Sequence, residues 1–534
     1  MISCSTLLKK NLVQLLAFPF VLALFSALLV AETTPPPDLD AYVARVMREF
    51  EVPGLAVAIV KDGQIVLAKG YGVRELGKPE RVDEHTLFGI ASNTKAFTAA
   101  ALAMLVDEGK ISWDDPVVKH LPWFQLYDPY VTRELTIRDL LTHRSGLGLG
   151  AGDLLFWPGT TYTRDEILYR MRYVKPASSF RSQYAYDNIL YLAAGQIIPA
   201  VTGKSWDDFV KERIFAPLGM SSSNTSVSAF KPGDNITTPH ARIEGRVNPI
   251  KWMNIDNTAP AGAINSSAAD IAKWVLVRLN EGKLANGSRL FSEQQAREMW
   301  SAQTIMPIGE PPAPLRALKP NFAAYALGFR VSDYRGRKLV DHTGGLAGLV
   351  SKVEMVPEEN LGIVVLTNQE ENGAYQSVIY HILDHYLKLP ATDWTTAFRN
   401  EKNRQLAEAA EVERRQSTAR NPNARPSLPL EKYAGKYNDA WYGTATIKLE
   451  NGKLVMQLDH TPAMVGELEY WQYDTFKTRW RDRTLADAFV TFVLKADGGI
   501  EEMKMAPVSP LADFSFDYQD LLFRPATEKA ERGQ

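Results

Sequence analysis

Ser92 and Lys95 stand three residues apart in Ser92-Asn93-Thr94-Lys95, at the head of an apolar run from Ala96 to Val106. On a helix this spacing puts a hydroxyl and an amine on one face, within hydrogen-bond reach. An unaided serine hydroxyl is too weak an acid to attack a carbonyl and needs a neighbouring base. Lys95 can be that base if apolar surroundings lower its pKa, and Ala91, Ala96, Phe97 and Ala99 supply such surroundings. Backbone N–H groups at the helix start lie near Ser92 and suit a developing oxyanion. The four residues alone fit an N-capping serine and a surface lysine equally well.

Two more clusters bear on the same chemistry. In Tyr186-Asp187-Asn188, just before the apolar stretch Ile189 to Ala200, a tyrosine can relay a proton between nucleophile and leaving group. Asn188 can hydrogen-bond either Lys95 or a substrate amide. In His342-Thr343-Gly344-Gly345 the glycines let a substrate backbone approach a strand edge, and the Gly345 N–H offers a second oxyanion donor. His342 would bind a substrate carboxylate or tune Tyr186. Read singly, these are a capped helix and a glycine hairpin.

The elements that must bring the three clusters together are an N-terminal helix from Asp38 to Phe50 and a hairpin of Gly54–Val60 with Ile65–Gly70, turned by Asp62-Gly63. A mostly helical stretch from about Phe88 to Asn280 follows, with Ala96–Val106 apolar on most sides and so buried. Ser267 with Asp270 resembles a capping box for the helix through Leu279. Strand-like segments return at Leu327–Val331, Lys338–Asp341, Leu349–Val356 and Leu361–Leu366, then a helix from Tyr375 to Leu387. The order predicts an α+β domain over residues 38–390, with one antiparallel sheet assembled from both ends and helices packed on it. Residues 391–428 read as a helical linker with a charged helix from Asn400 to Arg420, broken by Asn421-Pro422. Residues 429–527 read as a small all-β domain, barrel or sandwich, with alternation around Asn451-Gly452 that puts Ala445, Ile447 and Leu449 on one face and Leu454, Met456 and Leu458 on its partner.

Length and composition agree with this. A chain of 534 residues exceeds one compact core, and 45% apolar with 23% charged residues is ordinary globular composition. Lys plus Arg number 60 against 62 Asp plus Glu, a balance that argues against a nucleic-acid partner. The single cysteine, Cys4, excludes an intramolecular disulfide and a Cys-rich zinc site. Lys9 and Lys10, the apolar run Leu12–Val30 and the small residue Ala31 read as a secretory signal peptide over residues 1–31, cut after Ala31. A retained membrane anchor is the competing reading. The extended Pro35-Pro36-Pro37 then leads into the first helix. A periplasmic or secreted protein is expected, compatible with a loose membrane or cell-wall association, and its oligomeric state is open.

Taken together, in this order and frame, the clusters resemble the serine β-lactamase and penicillin-binding-protein superfamily, whose signature is S-x-x-K, then Y-x-N or S-x-N, then K-T-G. The likeness is closest to the class C β-lactamase-like branch of esterases and D-amino-acid peptidases, because the second motif starts with Tyr. Leu140-Leu141-Thr142-His143-Arg144-Ser145-Gly146-Leu147 and Pro260-Ala261-Gly262 are similar to that branch as well. The resemblance implies that Ser92 is the acylated nucleophile, Lys95 its base, Tyr186 the general acid/base and Asn188 a substrate-amide or lysine partner. It places His342, Thr343, Gly344 and Gly345 at the substrate and implies neither metal nor organic cofactor. His342 stands where class C β-lactamases have Lys, which favours an esterase or a D-amino-acid or cell-wall-type peptidase acting on a small molecule or short peptide. A β-lactamase and a non-catalytic penicillin- or peptidoglycan-binding protein are the alternatives. The C-terminal domain resembles the lipocalin-like domains appended to some peptidases of this branch, where they can cover the cleft. His381, Asp384 and His385 form a helical face read as amphipathic packing, and Phe156-Trp157 with Tyr162 as packed aromatics that could line a pocket.

Overall fold

The computed structural model describes residues 33–526. The proposed signal peptide, its cut after Ala31 and Cys4 lie outside the described residues.

The first domain is built on an eight-stranded antiparallel sheet. Its strands are β1 (Gly54–Lys61), β2 (Gln64–Gly72), β3 (Thr304–Ile305), β4 (Ala323–Tyr325), β5 (Arg330–Tyr334), β6 (Arg337–Leu346), β7 (Leu349–Val356) and β8 (Leu361–Thr367), in the order β2-β1-β8-β7-β6-β5-β4-β3. As the sequence order demands, N- and C-terminal parts meet in the middle, where β1 pairs with β8 from Leu55↔Thr367 to Lys61↔Leu361. Alternation along β1 sorts the layers. Leu55, Val57 and Ile59 face a core made with α1 (Leu39–Phe50) and a later helix, while Ala56, Ala58 and Val60 face the core of the large helical insertion. That insertion holds α2 (Thr94–Asp107), α3 (Ile189–Thr202) and α4 (Ala268–Leu279); α5 (Asn372–Tyr386) closes the opposite layer.

The differences from the sequence reading are local. Leu327 is not in a strand: Gly328 takes φ +80° in a turn, and the strand begins at Arg330. Its apolar character reflects burial, which a strand and a packed turn share. Ser267 caps α4 by accepting from the Asp270 N–H, but the Asp270 carboxylate accepts instead from the Ser222 N–H, the Ser223 hydroxyl and Lys273 Nζ, so the box is half closed. Within the helical stretch two short ladders occur, Phe88–Gly89 with Asn265–Ser266 and His240–Ile243 with Arg246–Pro249, too brief to show a period.

The linker is α6 (Trp394–Ala419), longer than expected because its first turn is buried, with Trp394 and Phe398 packed beside Tyr380 of α5. Its remaining length is mostly exposed and laced by pairs such as Arg404–Glu401 and Arg414–Glu411. Beyond it, β9 (Gly435–Asp439), β10 (Gly443–Glu450), β11 (Lys453–Leu458), β12 (Val465–Gln472), β13 (Thr475–Trp480), β14 (Ala488–Leu494), β15 (Ile500–Pro507) and β16 (Leu522–Pro525) form a closed barrel. Closure comes from β9 meeting β16 at Tyr437↔Pro525. Leu449, placed on one face with Ala445 and Ile447, is 37% exposed where those two are buried, next to the Asn451-Gly452 turn. The barrel docks on the first domain through Tyr162, whose hydroxyl donates to the Tyr442 carbonyl and whose ring stacks on His460 at 4.0 Å. Arg170 adds a bond to the Trp441 carbonyl at 3.1 Å, and one continuous apolar core runs through both domains.

Candidate active site

Ser92 lies in a short 3₁₀ turn, Ala91–Asn93, that runs into α2. The residue before it, Ala91, is buried and holds φ +47°, a left-handed backbone that is uphill for any residue with a Cβ. The turn is pinned by neighbours: Ser351 Oγ donates to the Ile90 carbonyl at 2.8 Å and accepts from Asn93 Nδ2 at 2.8 Å. Gly344 of β6 passes so close that a Cβ there would sit 2.1 Å from the Ile90 oxygen. The sharp turn presents Ser92, half-buried, to a cavity of about 400 Å³.

Lys95, one turn on, is fully buried. Its Nζ has three polar neighbours: Ser92 Oγ at 3.0 Å, Asn188 Oδ1 at 2.7 Å and the Ala261 carbonyl at 3.0 Å. Asn188 Oδ1 and the Ala261 oxygen can only accept. A neutral amine therefore spends both N–H bonds on them and turns its lone pair to the Ser92 hydroxyl. Burial pushes the Lys95 pKa down to about 7, against the opposing pull of the Asp153 and Asp187 carboxyls. The arrangement can take a proton from Ser92 near neutral pH.

Tyr186 closes the group. It lines the cavity beside Ser92, and its ring centre lies 4.8 Å from Lys95 Nζ. Burial holds its phenol well above the ordinary tyrosine range, so it stays protonated and acts as a donor. Beneath it sits His143, with a ring centre 4.2 Å away. Burial keeps that imidazole neutral, with Nδ1 accepting from the Asp187 N–H at 3.1 Å.

The other residues fall only partly where expected. Asn188 borders the cavity, but its amide is taken up internally: Oδ1 by Lys95, and Nδ2 by Asp153 Oδ2 at 2.7 Å. Of the two partners open to it, the structure selects the lysine. His342 is buried, with Nδ1 donating to the Thr343 carbonyl at 2.6 Å and Nε2 accepting from the Tyr325 hydroxyl at 2.8 Å. Burial, with the nearby Lys95 charge, takes its pKa down to about 4, and with both ring nitrogens bonded inside the protein this favours a neutral imidazole over the carboxylate anchor expected. Thr343 and Gly345 point into the cavity, whereas Gly344 faces away against Ile90. Leu149, Phe156, Trp157, Met306 and Phe514 supply apolar wall, and Arg330 is the cationic side chain on it. Tyr162 belongs to the barrel interface instead. His381, Asp384 and His385 turn to separate partners, Asp38, Tyr334 with Trp394, and the Thr34 carbonyl.

Sequence reasoning missed Asp153, Tyr325, Arg330 and the segment Asp513–Ser515. A lone Asp in a glycine-rich loop or a Phe in the last domain has no pattern; only the Ala261 carbonyl and His143 lay in recognisable motifs.

Residues 39–387 match the Beta-lactamase family, and residues 419–525 match a domain of unknown function (DUF3471). With most of its length covered by the first match, the chain belongs to the beta-lactamase family, hydrolases of the serine β-lactamase and penicillin-binding-protein superfamily. Among its relatives, the unguisins hydrolase ungD' of Aspergillus campestris is 30% identical over 442 residues, 79% of each chain. Protein flp of Staphylococcus aureus is 27% identical over 338 residues, 62% of each. The octameric penicillin-binding protein homologue from Pyrococcus abyssi superposes with a TM-score of 0.58 at 22% identity, over 91% of this chain and 99% of that one, so the fold is shared through both domains.

Proposed function

We propose that the protein is a serine hydrolase that forms an acyl-enzyme at Ser92 and cleaves an amide or ester bond of a small molecule or short peptide. The observation that carries this is Lys95 Nζ, dry, held by two pure acceptors and left with one lone pair 3.0 Å from the Ser92 hydroxyl. Ser92 Oγ bonds to the carbonyl carbon as its proton passes to Lys95, and the carbonyl becomes an oxyanion facing the Ser92 and Gly345 N–H groups. On collapse the carbon–leaving-group bond breaks. Tyr186 protonates the departing nitrogen or oxygen and recovers its proton from Lys95. Water then repeats the cycle on the acyl group.

The family and the hydrolase named among its relatives support a hydrolytic reading over an idle binding protein. A neutral His342 supports a peptidase or esterase over a β-lactamase, since the fixed cation expected at that position is missing. We also propose that the protein works in the periplasm or outside the cell after removal of residues 1–31, which the N-terminal sequence of the mature protein would reveal.

The test is a fluorophosphonate probe with intact-mass and peptide analysis. One adduct on Ser92, lost in Ser92→Ala, is expected; an unlabelled Ser92 would leave a binding scaffold. A panel of p-nitrophenyl esters, D-amino-acid amides and nitrocefin then sorts the substrate classes.

A further inference from the structure

The segment joining β15 to β16 leaves the barrel and enters the first domain. Phe514 reaches the cavity, its ring 5.9 Å from that of Tyr186, and presses so closely on Gly150 that a Cβ there would lie 2.7 Å from Phe514 Cδ2. Next to it, buried Ser515 donates through Oγ to Asp153 Oδ2 at 2.8 Å. The same oxygen accepts from Asn188 Nδ2, and Asn188 Oδ1 accepts from Lys95 Nζ, each at 2.7 Å. Buried Asp517 accepts from the Gly152 N–H at 2.7 Å and the Leu154 N–H at 3.2 Å, gripping the turn that carries Asp153 from both sides.

An unbroken line of hydrogen bonds therefore runs from the barrel to the amine. It sets the Asn188 amide: Asp153 Oδ2, which also accepts from the Ser515 hydroxyl, takes the Asn188 Nδ2 donor and leaves Oδ1 turned to Lys95. Asp153 Oδ1 has no hydrogen-bond partner, so this carboxyl is oriented through Oδ2 alone, by Asn188 and Ser515. We propose that Ser515 is a positioning residue for Lys95, acting through Asp153 and Asn188, so that the C-terminal barrel completes the catalytic centre of the first domain. Its kinetic consequence rests on the acyl-enzyme reading; its structural consequence does not.

The sign of the effect follows from the charges present. Asp153, Asp187, His143, His342, Tyr186 and Tyr191 face Lys95, and Asp187, Asp517 and Lys95 face Asp153. Burial and the neighbouring Asp187 push the Asp153 carboxyl well above its ordinary range; the Asn188 and Ser515 donors oppose that, and the carboxylate they favour in turn favours the protonated form of Lys95. Without the hydroxyl, Lys95 gives up its proton at lower pH and its amine is held less firmly.

The experiment compares full-length wild type, Ser515→Ala and Ser515→Thr by two readouts. One is the titration of Lys95 Nζ by ¹⁵N NMR; the other is the rate of Ser92 labelling by fluorophosphonate between pH 5.5 and 9. In Ser515→Ala the Lys95 titration and the acid limb of labelling both move to lower pH, and the plateau rate falls several-fold. Ser515→Thr, which keeps the donor, restores both. A merely structural role lowers Tm and scales the profile without moving its limb. An unmoved Lys95 titration in Ser515→Ala overturns the inference. Should Ser515→Ala fail to fold, Ser515→Cys, close in size and a weak donor, carries the same comparison. A wild type that never labels at Ser92 defeats the acyl-enzyme reading instead, and the NMR titration still decides the role of Ser515.

Discussion

At the scale of single residues the site is a problem of proton placement. Lys95 is useful only as the free amine, and with its pKa lowered to about 7 it loses its proton as pH rises through neutrality. Labelling or turnover should therefore climb about tenfold per unit below that point and level off above it, as a pH–rate profile would show. Lys95→Arg keeps donors for Asn188 and Ala261 but cannot deprotonate, so the rate should fall by about 10²–10⁴-fold with the fold retained. A Lys95→Arg protein labelling at the wild-type rate would remove the lysine from the chemistry. His342 gives the opposite expectation to a titrating anchor. Its protonated form belongs to pH values near 4, so KM for carboxylate substrates should be flat between pH 5 and 8. A KM that rises through pH 6–7 would restore the imidazolium.

At the scale of elements the reactive turn is held by close approach. Ala91 at φ +47° stores roughly 1–2 kcal/mol. Ala91→Gly relieves this but loses a buried methyl worth about 0.8 kcal/mol and adds unfolded-state freedom worth roughly 0.5–1 kcal/mol. Stability by urea unfolding should thus change by under about 1 kcal/mol. Gly344 and Gly345 are adjacent yet separable. In Gly344→Ala the new Cβ meets the Ile90 oxygen at 2.1 Å and Ser351 Oγ at 2.5 Å, and the backbone there cannot swing aside. A loss of about 1–3 kcal/mol together with Ser92 labelling is expected. Gly345→Ala meets nothing within 4 Å, so its Tm should hold while bulky substrates lose turnover. Equal Tm losses in the two variants would contradict this packing.

At the scale of the molecule the barrel and the hydrolase domain behave as one body, because apolar packing is continuous from Leu154 and Trp157 into Tyr442 and Phe516. Calorimetry should show one cooperative transition rather than two. Tyr162→Phe leaves the buried Tyr442 carbonyl without its donor and should lower stability by about 1–3 kcal/mol without splitting that transition. Two separated peaks in the wild type would show that the domains melt independently.

Much of this was legible in the chain itself. Hydrophobic period and turn chemistry act over a few residues, so the sequence determined β1 with its Asp62-Gly63 turn, the buried α2 and the Ser92–Lys95 spacing. They could not determine how far a contact reaches along the chain. Whether Asn188 faced a substrate or a lysine, whether His342 kept a charge, whether the β domain closed into a barrel, and whether Ser515 met Asp153 were decided only by tertiary packing. Solvent exclusion, which sets a buried group's charge and its hydrogen-bond partner, exists only once distant segments have come together.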